Sequence, residues 1–354
     1  MWVRSLQVRN LRCIAQAELS LEPGLNLFFG RNAQGKTSIL EALGLVARGR
    51  SFRTERLEQL VRRGSAAMSA SALAAGQEPE LQLEVRVDQS RRQLRMFGRE
   101  VPVRDYHGRL EALVYSTERL SVVHGTPRDR RQYFDRAAAA LWPAYRQQLG
   151  EYERVLQQRN AALATAQPGL EAWDQRWLET AARVRVRRTA YLARLQAALE
   201  QAFRPAGERY SLGVRPAPTD VAAAQAALVE EWRPLQAAER RRGRTLCGPH
   251  RDPIELSVDG QAAEVWASAG QARSLLLALT EAALLVYRQE RGTAAVALLD
   301  DLDSELDEGR ADEICRRLST QGQLLVTTAH AAWARSQASA GRIFEVEAGC
   351  IRPH

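Results

Sequence analysis

The spacing of hydrophobic positions divides the chain into three stretches. Residues 1–126 largely alternate apolar and polar side chains, as in Leu81–Val87 and Gln93–Phe97, which predicts β-strands. Residues 127–238 are rich in Ala, Gln and Arg and repeat apolar side chains every three or four positions, which predicts helices. Alternation returns in residues 239–354. The pattern therefore predicts an α/β domain that is interrupted by a helical lobe and completed by the C-terminal third.

One segment of the first stretch has the pattern G-x-x-x-x-G-K-[ST] of a phosphate-binding loop (P-loop). An apolar run, Leu25–Phe29, leads into it, and a helical pattern, Ile39–Val46, leads out of it. This order directs backbone N–H groups and the positive end of a helix at phosphates, while the lysine reaches the β/γ-phosphates and a hydroxyl completes a Mg²⁺ site. The predicted nucleotide ligands are Gly30, Arg31, Asn32, Ala33, Gln34, Gly35, Lys36, Thr37 and Ser38.

Composition strengthens the prediction for Lys36. The chain has 50 Lys and Arg residues, and Lys36 is the only lysine among them. A slim ammonium group fits between phosphates inside a tight loop, whereas a planar guanidinium does not. The single lysine therefore indicates a position where arginine fails.

The overall charge and the cysteines limit the class of protein. A net charge of +8 over 354 residues favours an anionic partner such as nucleic acid, although solvated arginine-rich faces are an alternative. The four cysteines are widely spaced, which predicts free thiols in a reducing cytoplasm. We find no signal peptide and no apolar run approaching the length of a membrane span, so we expect no membrane partner.

Two further strands end in polar residues. The apolar run Val296–Leu299 is followed by Asp300 and Asp301, the form of a Walker B motif. We expect the first carboxylate to hold Mg²⁺ and the second to orient and deprotonate a water molecule. His330 follows the strand-like run Leu324–Thr328, and we expect it to sense the γ-phosphate, with a structural role as the alternative.

Two helical segments allow two interpretations each. Ser268, Gly270 and Gln271 open a helix, as an ordinary N-cap or as a second phosphate-binding helix terminus. The second helix of the lobe has Arg183, Arg185, Arg187 and Arg188, which surround it too widely to form one stripe. We hypothesise that Arg187 and Arg188 contact nucleic acid, against the alternative of a solvated face.

Taken together, these motifs resemble the RecF family, ABC-type ATPases similar to the heads of Rad50 and SMC proteins. The resemblance rests on the segments Gly30–Ala42, Gly49–Thr54, Gly125–Arg131, Gly248–Asp252, Ser268–Gln271, Leu298–Asp301 and Ser304–Asp307, and it runs to about residue 330. It implies an α/β fold: an ABC-type P-loop ATPase head, with a mixed sheet and an antiparallel β subdomain, and an inserted α-helical lobe.

The resemblance also implies a function. Such proteins bind ATP and Mg²⁺, form ATP-dependent head-to-head homodimers, hydrolyse ATP slowly, and bind double-stranded DNA and gapped junctions. They act with RecR and RecO and assist the loading of RecA on gapped DNA coated by single-strand-binding protein. Alternatives are another SMC- or Rad50-like ATPase, an ABC transporter ATPase subunit, a small-molecule P-loop kinase, and a DNA clamp that does not hydrolyse ATP.

Roles are carried over by motif. Lys36 and the loop amides hold the phosphates, Thr37 and Asp300 hold Mg²⁺, and Asp301 stands in the place of the catalytic glutamate, beside His330. Ser268, Gly270 and Gln271 would reach the ATP of the other subunit.

Three departures from the family pattern bear on the nucleotide site, and a fourth, Pro253 in place of a second acid after Asp252, carries no claim beyond structure. Ala33 replaces a glycine, which suggests a residue without positive φ. Asp301 is shorter than glutamate, which fits slow hydrolysis. No aromatic residue lies near Arg12, so we expect Arg12 to stack on the adenine.

Overall fold

The structure is a computed structural model that describes residues 1–76, 79–88, 91–165, 169–204, 207–302 and 308–354. The segment Ser304–Asp307, on which the resemblance partly rests, falls outside these residues.

The order of strands and helices follows the predicted division into alternating and helical stretches. The strands are β1 (Trp2–Leu11), β2 (Ile14–Ser20), β3 (Leu25–Phe29), β4 (Ala67–Ala75), β5 (Leu81–Asp88), β6 (Arg92–Met96), β7 (Arg99–Glu100), β8 (Ala112–Tyr115), β9 (Tyr210–Val214), β10 (Ile254–Val258), β11 (Gln261–Ala262), β12 (Val296–Leu299), β13 (Leu324–Thr328), β14 (Gly341–Glu347) and β15 (Cys350–Pro353). The α-helices are α1 (Lys36–Arg48), α2 (Val103–Tyr106), α3 (Ser121–His124), α4 (Pro127–Leu141), α5 (Pro143–Thr165), α6 (Leu170–Leu199), α7 (Val221–Trp232), α8 (Gln236–Arg242), α9 (Ala263–Trp266), α10 (Ala269–Arg291), α11 (Glu308–Ser319) and α12 (Ala331–Ser336).

The chain folds into two units. The first comprises Met1–Arg119 and Leu276–His354, and the second comprises Leu120–Leu275. The second unit groups residues 239–275 with the helical stretch, so the predicted boundaries at 126 and 238 stay a proposal.

Two sheets build the first unit. The nucleotide sheet has the strand order β15-β14-β3-β13-β12-β8 and is parallel except for its edge strand β15. The antiparallel sheet has the order β2-β1-β4-β5-β6-β7. Strands β3, β12 and β13 are buried throughout, which explains why they read as continuous apolar runs rather than alternating ones.

Helix α1 packs against both sheets. It contacts β1, β4 and β5 of the antiparallel sheet and β8, β12 and β13 of the nucleotide sheet. Almost every residue from Lys36 to Ala47 is therefore buried, including Glu41. The helix that follows the P-loop is thus held from two sides, which gives the loop a rigid base.

The second unit contains the helical lobe and the small sheet β11-β10-β9. Trp177 is fully buried, and a break at Trp142 separates α4 from α5. Arg185 and Arg188 are also buried, at 1% and 3% exposure. The hypothesis that Arg188 contacts nucleic acid is therefore wrong.

Acidic partners from distant parts of the chain account for this burial. Arg185 pairs with Asp252 at 2.6 Å and with Glu231, and Arg188 forms two hydrogen bonds of 2.9 Å with Asp135. These carboxylates offset the cost of burying the two guanidinium charges. Arg185 and Arg188 hold the lobe together.

Among the described residues, one helix has the length and composition of a membrane span. It is α10, Ala269–Arg291, an exception to the expectation that no apolar run approaches that length. However, 72% of its most apolar window is buried inside the protein, which is typical of a core helix.

Candidate nucleotide-binding site

Three neighbouring parallel strands bring the predicted site together. Strand β13 pairs with β3 on one side and with β12 on the other, all in the same direction. The carboxyl ends of parallel strands meet at one edge of a sheet, and ligands bind there in open α/β sheets. The P-loop follows β3, Asp300 follows β12, and His330 follows β13. These candidate residues therefore lie at one edge.

The P-loop backbone passes repeatedly through the left-handed region. Gly30 has φ +156°, Ala33 has φ +63°, and Gly35, the N-cap of α1, has φ +111°. The expectation that Ala33 avoids positive φ is wrong. An alanine in this conformation costs about 1–2 kcal/mol relative to a right-handed one, so the surrounding structure must impose it.

Both glycines of the motif lie against other backbone or side-chain atoms. A Cβ on Gly30 would lie 2.2 Å from the carbonyl oxygen of Val346, and one on Gly35 would lie 2.8 Å from Cys13 Sγ. A side chain at either position would displace the loop. Glycine is thus required by close packing as well as by φ.

A turn near the C-terminus holds the middle of the loop. This turn joins β14 to β15 at Ala348 and Gly349, which have φ +47° and +81°. The amide of Gly349 donates to the Gln34 carbonyl oxygen at 2.9 Å, and the amide of Ala348 donates to Gln34 Oε1 at 2.6 Å. The sequence analysis missed this contact because more than 300 residues separate its two sides.

The ammonium group of Lys36 lies at the loop. Its Nζ donates to the carbonyl oxygens of Gly30 at 2.7 Å and Arg31 at 3.0 Å, and the residue is only 7% exposed. Ser38 is likewise buried, and its amide donates to the Gly35 carbonyl oxygen. Residues 31–33 are exposed at the rim. The loop thus places one cation where the motif requires it.

Thr37 and Asp300, the predicted Mg²⁺ ligands, are in direct contact. Thr37 Oγ1 donates to Asp300 Oδ1 at 2.9 Å, and Thr327 Oγ1 donates to the same oxygen at 2.8 Å. Burial raises the pKa of Asp300, and the hydrogen bonds from Thr327 and Thr37 oppose that rise. Thr327 was not predicted as a site residue. Its only signal in the sequence is its place near the end of an apolar strand.

Asp301 and His330 lie beside this pair on the chain. Asp301 has φ +56°, a conformation that aspartate tolerates better than most residues, and its amide donates to Thr327 Oγ1 at 2.8 Å. His330 is an exposed residue that precedes α12, and its amide donates to Thr328 Oγ1. The catalytic roles of Asp301 and His330 stay predictions.

Arg12 is held by a buried carboxylate on α1. Its Nε and Nη2 donate to the two carboxylate oxygens of Glu41 at 2.8 and 2.7 Å, and this bonding raises the pKa of Arg12. Ser51 also donates to Glu41, and Arg53 lies 3.5 Å from it. Glu41 was missed by sequence analysis because an acidic residue inside an amphipathic helix is ordinarily exposed. The adenine contact of Arg12 stays a prediction.

Ser268 and Gln271, at the N-terminus of α10, cap the helix reciprocally. Ser268 Oγ accepts from the amide of Gln271 at 3.2 Å, while Gln271 Oε1 accepts from the amide of Ser268 at 3.0 Å. This arrangement is a capping box, the first of the two predicted interpretations. Gly270 is exposed beside it. Both interpretations remain compatible, because a capped helix terminus still presents amide groups.

The donor set fits Mg²⁺. A hydroxyl and a carboxylate are hard oxygen ligands, which Mg²⁺ prefers, and it commonly takes one or two protein ligands plus phosphates and water. Within the described residues, no group of three or more His, Cys, Asp or Glu side chains is arranged to hold a metal ion. All four cysteines are free, as predicted.

Comparison with known sequences gives full-length matches. The model of the RecF/RecN/SMC N terminal domain matches residues 2–352. The chain is 35% identical to the DNA replication and repair protein RecF of Synechococcus sp. (strain JA-3-3Ab), over 100% of this chain and 98% of that protein. It is 31% identical to the corresponding protein of Heliobacterium modesticaldum, over 99% and 98%.

Solved structures show the same fold. A structure of the recombination mediator protein RecF with ATP, in the RecFOR pathway, covers 100% of this chain and 99% of its own, with a TM-score of 0.87 and 24% identity. An Smc head domain from Pyrococcus furiosus covers 100% and 96%, with a TM-score of 0.59 and 13% identity. These likenesses confirm the predicted ATPase-head fold.

Proposed function

The chain belongs to the RecF family of the RecF/RecN/SMC proteins, and from that premise we propose that it is a cytoplasmic, ATP-dependent DNA-binding protein of recombinational repair and replication restart. ATP drives head-to-head dimerisation on DNA, and slow hydrolysis releases the dimer. With RecO and RecR it assists RecA loading at single-strand gaps. The observation that carries the proposal is the contact of Thr37 with Asp300 beside the P-loop.

Each part of the site has a role in this proposal. The P-loop amides and Lys36 bind the phosphates, and Thr37 and Asp300 hold Mg²⁺, which neutralises phosphate charge. Thr327 fixes Asp300 by a hydrogen bond and anchors the amide of Asp301. Asp301 then orients a water molecule and takes up its proton.

Dimerisation depends in this proposal on the exposed terminus of α10. Ser268 and the amides beside it bind the γ-phosphate of the ATP held by the other subunit, so hydrolysis removes the bond between subunits. The proposal is supported by the exposure of Ser268 and Gly270, which leaves this terminus accessible to a second copy.

Sedimentation of the pure protein tests the dimerisation step. We expect a monomer without nucleotide and with ADP, and a dimer with ATP or a non-hydrolysable analogue, with and without double-stranded DNA. An unchanged molecular mass in every nucleotide state would contradict the switch.

Two substitutions of Ser268 separate the helix cap from the contact between subunits. Ser268→Asp retains an N-cap acceptor but adds a charge that repels phosphate, so we expect intact ATP binding and no ATP-dependent dimer. Ser268→Thr keeps the hydroxyl and should still dimerise. Dimers that persist in Ser268→Asp would remove this residue from the interface.

A further inference from the structure

The exposed arginines of α6 form a set distinct from the buried ones. Arg185 and Arg188 point into the second unit, whereas four other arginines of the helix are exposed. These four, named here the α6 arginine line, are Arg176, Arg183, Arg187 and Arg194.

The members of the α6 arginine line share one narrow strip of the helix surface. Their spacings are seven, four and seven residues. At 3.6 residues per turn, all four lie within about 40° of one another around the axis. At about 1.5 Å per residue, they extend over roughly 27 Å of one continuous helix. The four arginines considered in the sequence analysis do surround the helix, and two of them are buried; the exposed arginines alone form one strip.

Between Arg176 and Arg194, α6 has a single acidic residue, Glu179. From Arg176 to Ala197 the exposed residues of α6 are the arginine line and two alanines, Ala193 and Ala197. Glu179 is half-buried and accepts a hydrogen bond from Gln175.

Two neighbouring side chains contact arginines of the line. Glu151 of α5 approaches Arg176 at 3.6 Å, in an exposed pair of the kind that contributes little and that a phosphate readily replaces. The ring of Trp142 lies 5.8 Å from the Arg187 guanidinium and 5.2 Å from that of Arg194. Such cation–π contacts orient guanidinium groups while leaving their charge in place.

We propose that the α6 arginine line binds the phosphate backbone of double-stranded DNA, an assignment that rests on the proposed function and locates part of its DNA contact. The continuous helix presents its charges at regular intervals, as a polyanion does: roughly 27 Å of helix corresponds to about eight base pairs at 3.4 Å each. An acidic protein segment offers no comparable regular row of charges. The binding is independent of base sequence, because phosphate contacts carry no sequence information.

A charge-matched pair of variants tests the proposal. Arg183→Gln with Arg187→Gln removes two charges from the line. Arg233→Gln with Arg241→Gln removes two exposed charges elsewhere in the same unit. DNA affinity is measured for each, and for the wild type, over a series of salt concentrations with ATP and Mg²⁺ present, after thermal unfolding has shown that both variants are folded.

We expect the first variant to flatten the slope of log affinity against log salt by about 1.8, since each lost phosphate contact removes about 0.9. The control should keep the wild-type slope, and Arg183→Lys with Arg187→Lys should keep most of it. Equal flattening in both glutamine variants, or none in either, would overturn the inference while the proposed function stands. A wild-type protein that does not bind DNA would contradict both.

Discussion

The turn that joins β14 to β15 predicts a specific sensitivity of ATP binding to Gly349→Ala. Gly349 has φ +81°, and a Cβ there would lie 2.5 Å from the carbonyl oxygen of Cys13. The amide of the same residue donates to the Gln34 carbonyl oxygen. The turn cannot accept the methyl group without moving away from Cys13, and that movement weakens its hydrogen bond to Gln34 in the P-loop.

Gly98→Ala provides a matched control. Gly98 also lies in a hairpin turn of the first unit, at φ +74°, but nothing lies within 4 Å of a Cβ built on it. Alanine in the left-handed region costs about 1–2 kcal/mol at either position. The backbone contact at Gly349 adds an overpacking cost of about 1–3 kcal/mol. We therefore expect the free energy of unfolding of Gly349→Ala to be about 1–3 kcal/mol lower than that of Gly98→Ala.

The effect on ATP follows from the hydrogen bonds to Gln34. Two bonds, each with a net worth of about 0.5–1.5 kcal/mol, hold the middle of the loop. Their partial loss corresponds to about 1.4 kcal/mol of binding, so the Kd for ATP should rise about tenfold. Titration with a fluorescent ATP analogue at fixed Mg²⁺ measures the Kd, and urea unfolding measures the stability.

The comparison between the two variants decides the matter. If Gly349→Ala is less stable than Gly98→Ala but binds ATP with the wild-type Kd, the turn supports only the fold, and the reasoning is refuted.

Two further predictions concern buried side chains. Thr327→Val removes the hydrogen bonds to Asp300 and Asp301 and keeps the shape of the side chain. We expect the free energy of unfolding to fall by about 1–3 kcal/mol and the ATPase rate to fall at least about tenfold. The control Thr280→Val, which breaks only a hydrogen bond within α10, should leave the ATPase rate unchanged. Burial lowers the pKa of His250 from 6.5 to about 4. Between about pH 6.5 and 4, His250 is therefore protonated in the unfolded chain but neutral in the folded chain. The free energy of unfolding decreases as the pH falls through this range. His250→Asn should reduce this loss in urea unfolding at pH 4.5 and 7, and a persistent loss would exclude His250 as its source.

Local patterns predicted much of the first unit. The strand before the P-loop, the helix after it and the strand before Asp300 are each specified by adjacent residues, so they were found in the sequence. The contact of Thr37 with Asp300 followed because parallel strands align their carboxyl ends.

Contacts between distant segments could not be predicted from the sequence pattern. Ala33 adopts positive φ in a loop that is held at Gln34 by a turn near the C-terminus, and no local propensity reveals that turn's position. Arg188 looked like its exposed neighbour Arg187 because its partner Asp135 lies in another helix. Helical spacing alone identified a set of arginines, and only burial separated those that pair internally from those that face solvent.

The burial of the only lysine makes this protein unusually simple to probe with amine chemistry. Apart from the amino terminus, Lys36 is the one amine in all 354 residues that an acylating reagent or an acetyltransferase can modify, and its Nζ donates to two carbonyl oxygens of the P-loop. The extent of acylation at Lys36 therefore reports the state of the loop without interference from surface amines. By the same logic, any lysine acylation of this chain falls on the group proposed to hold the nucleotide.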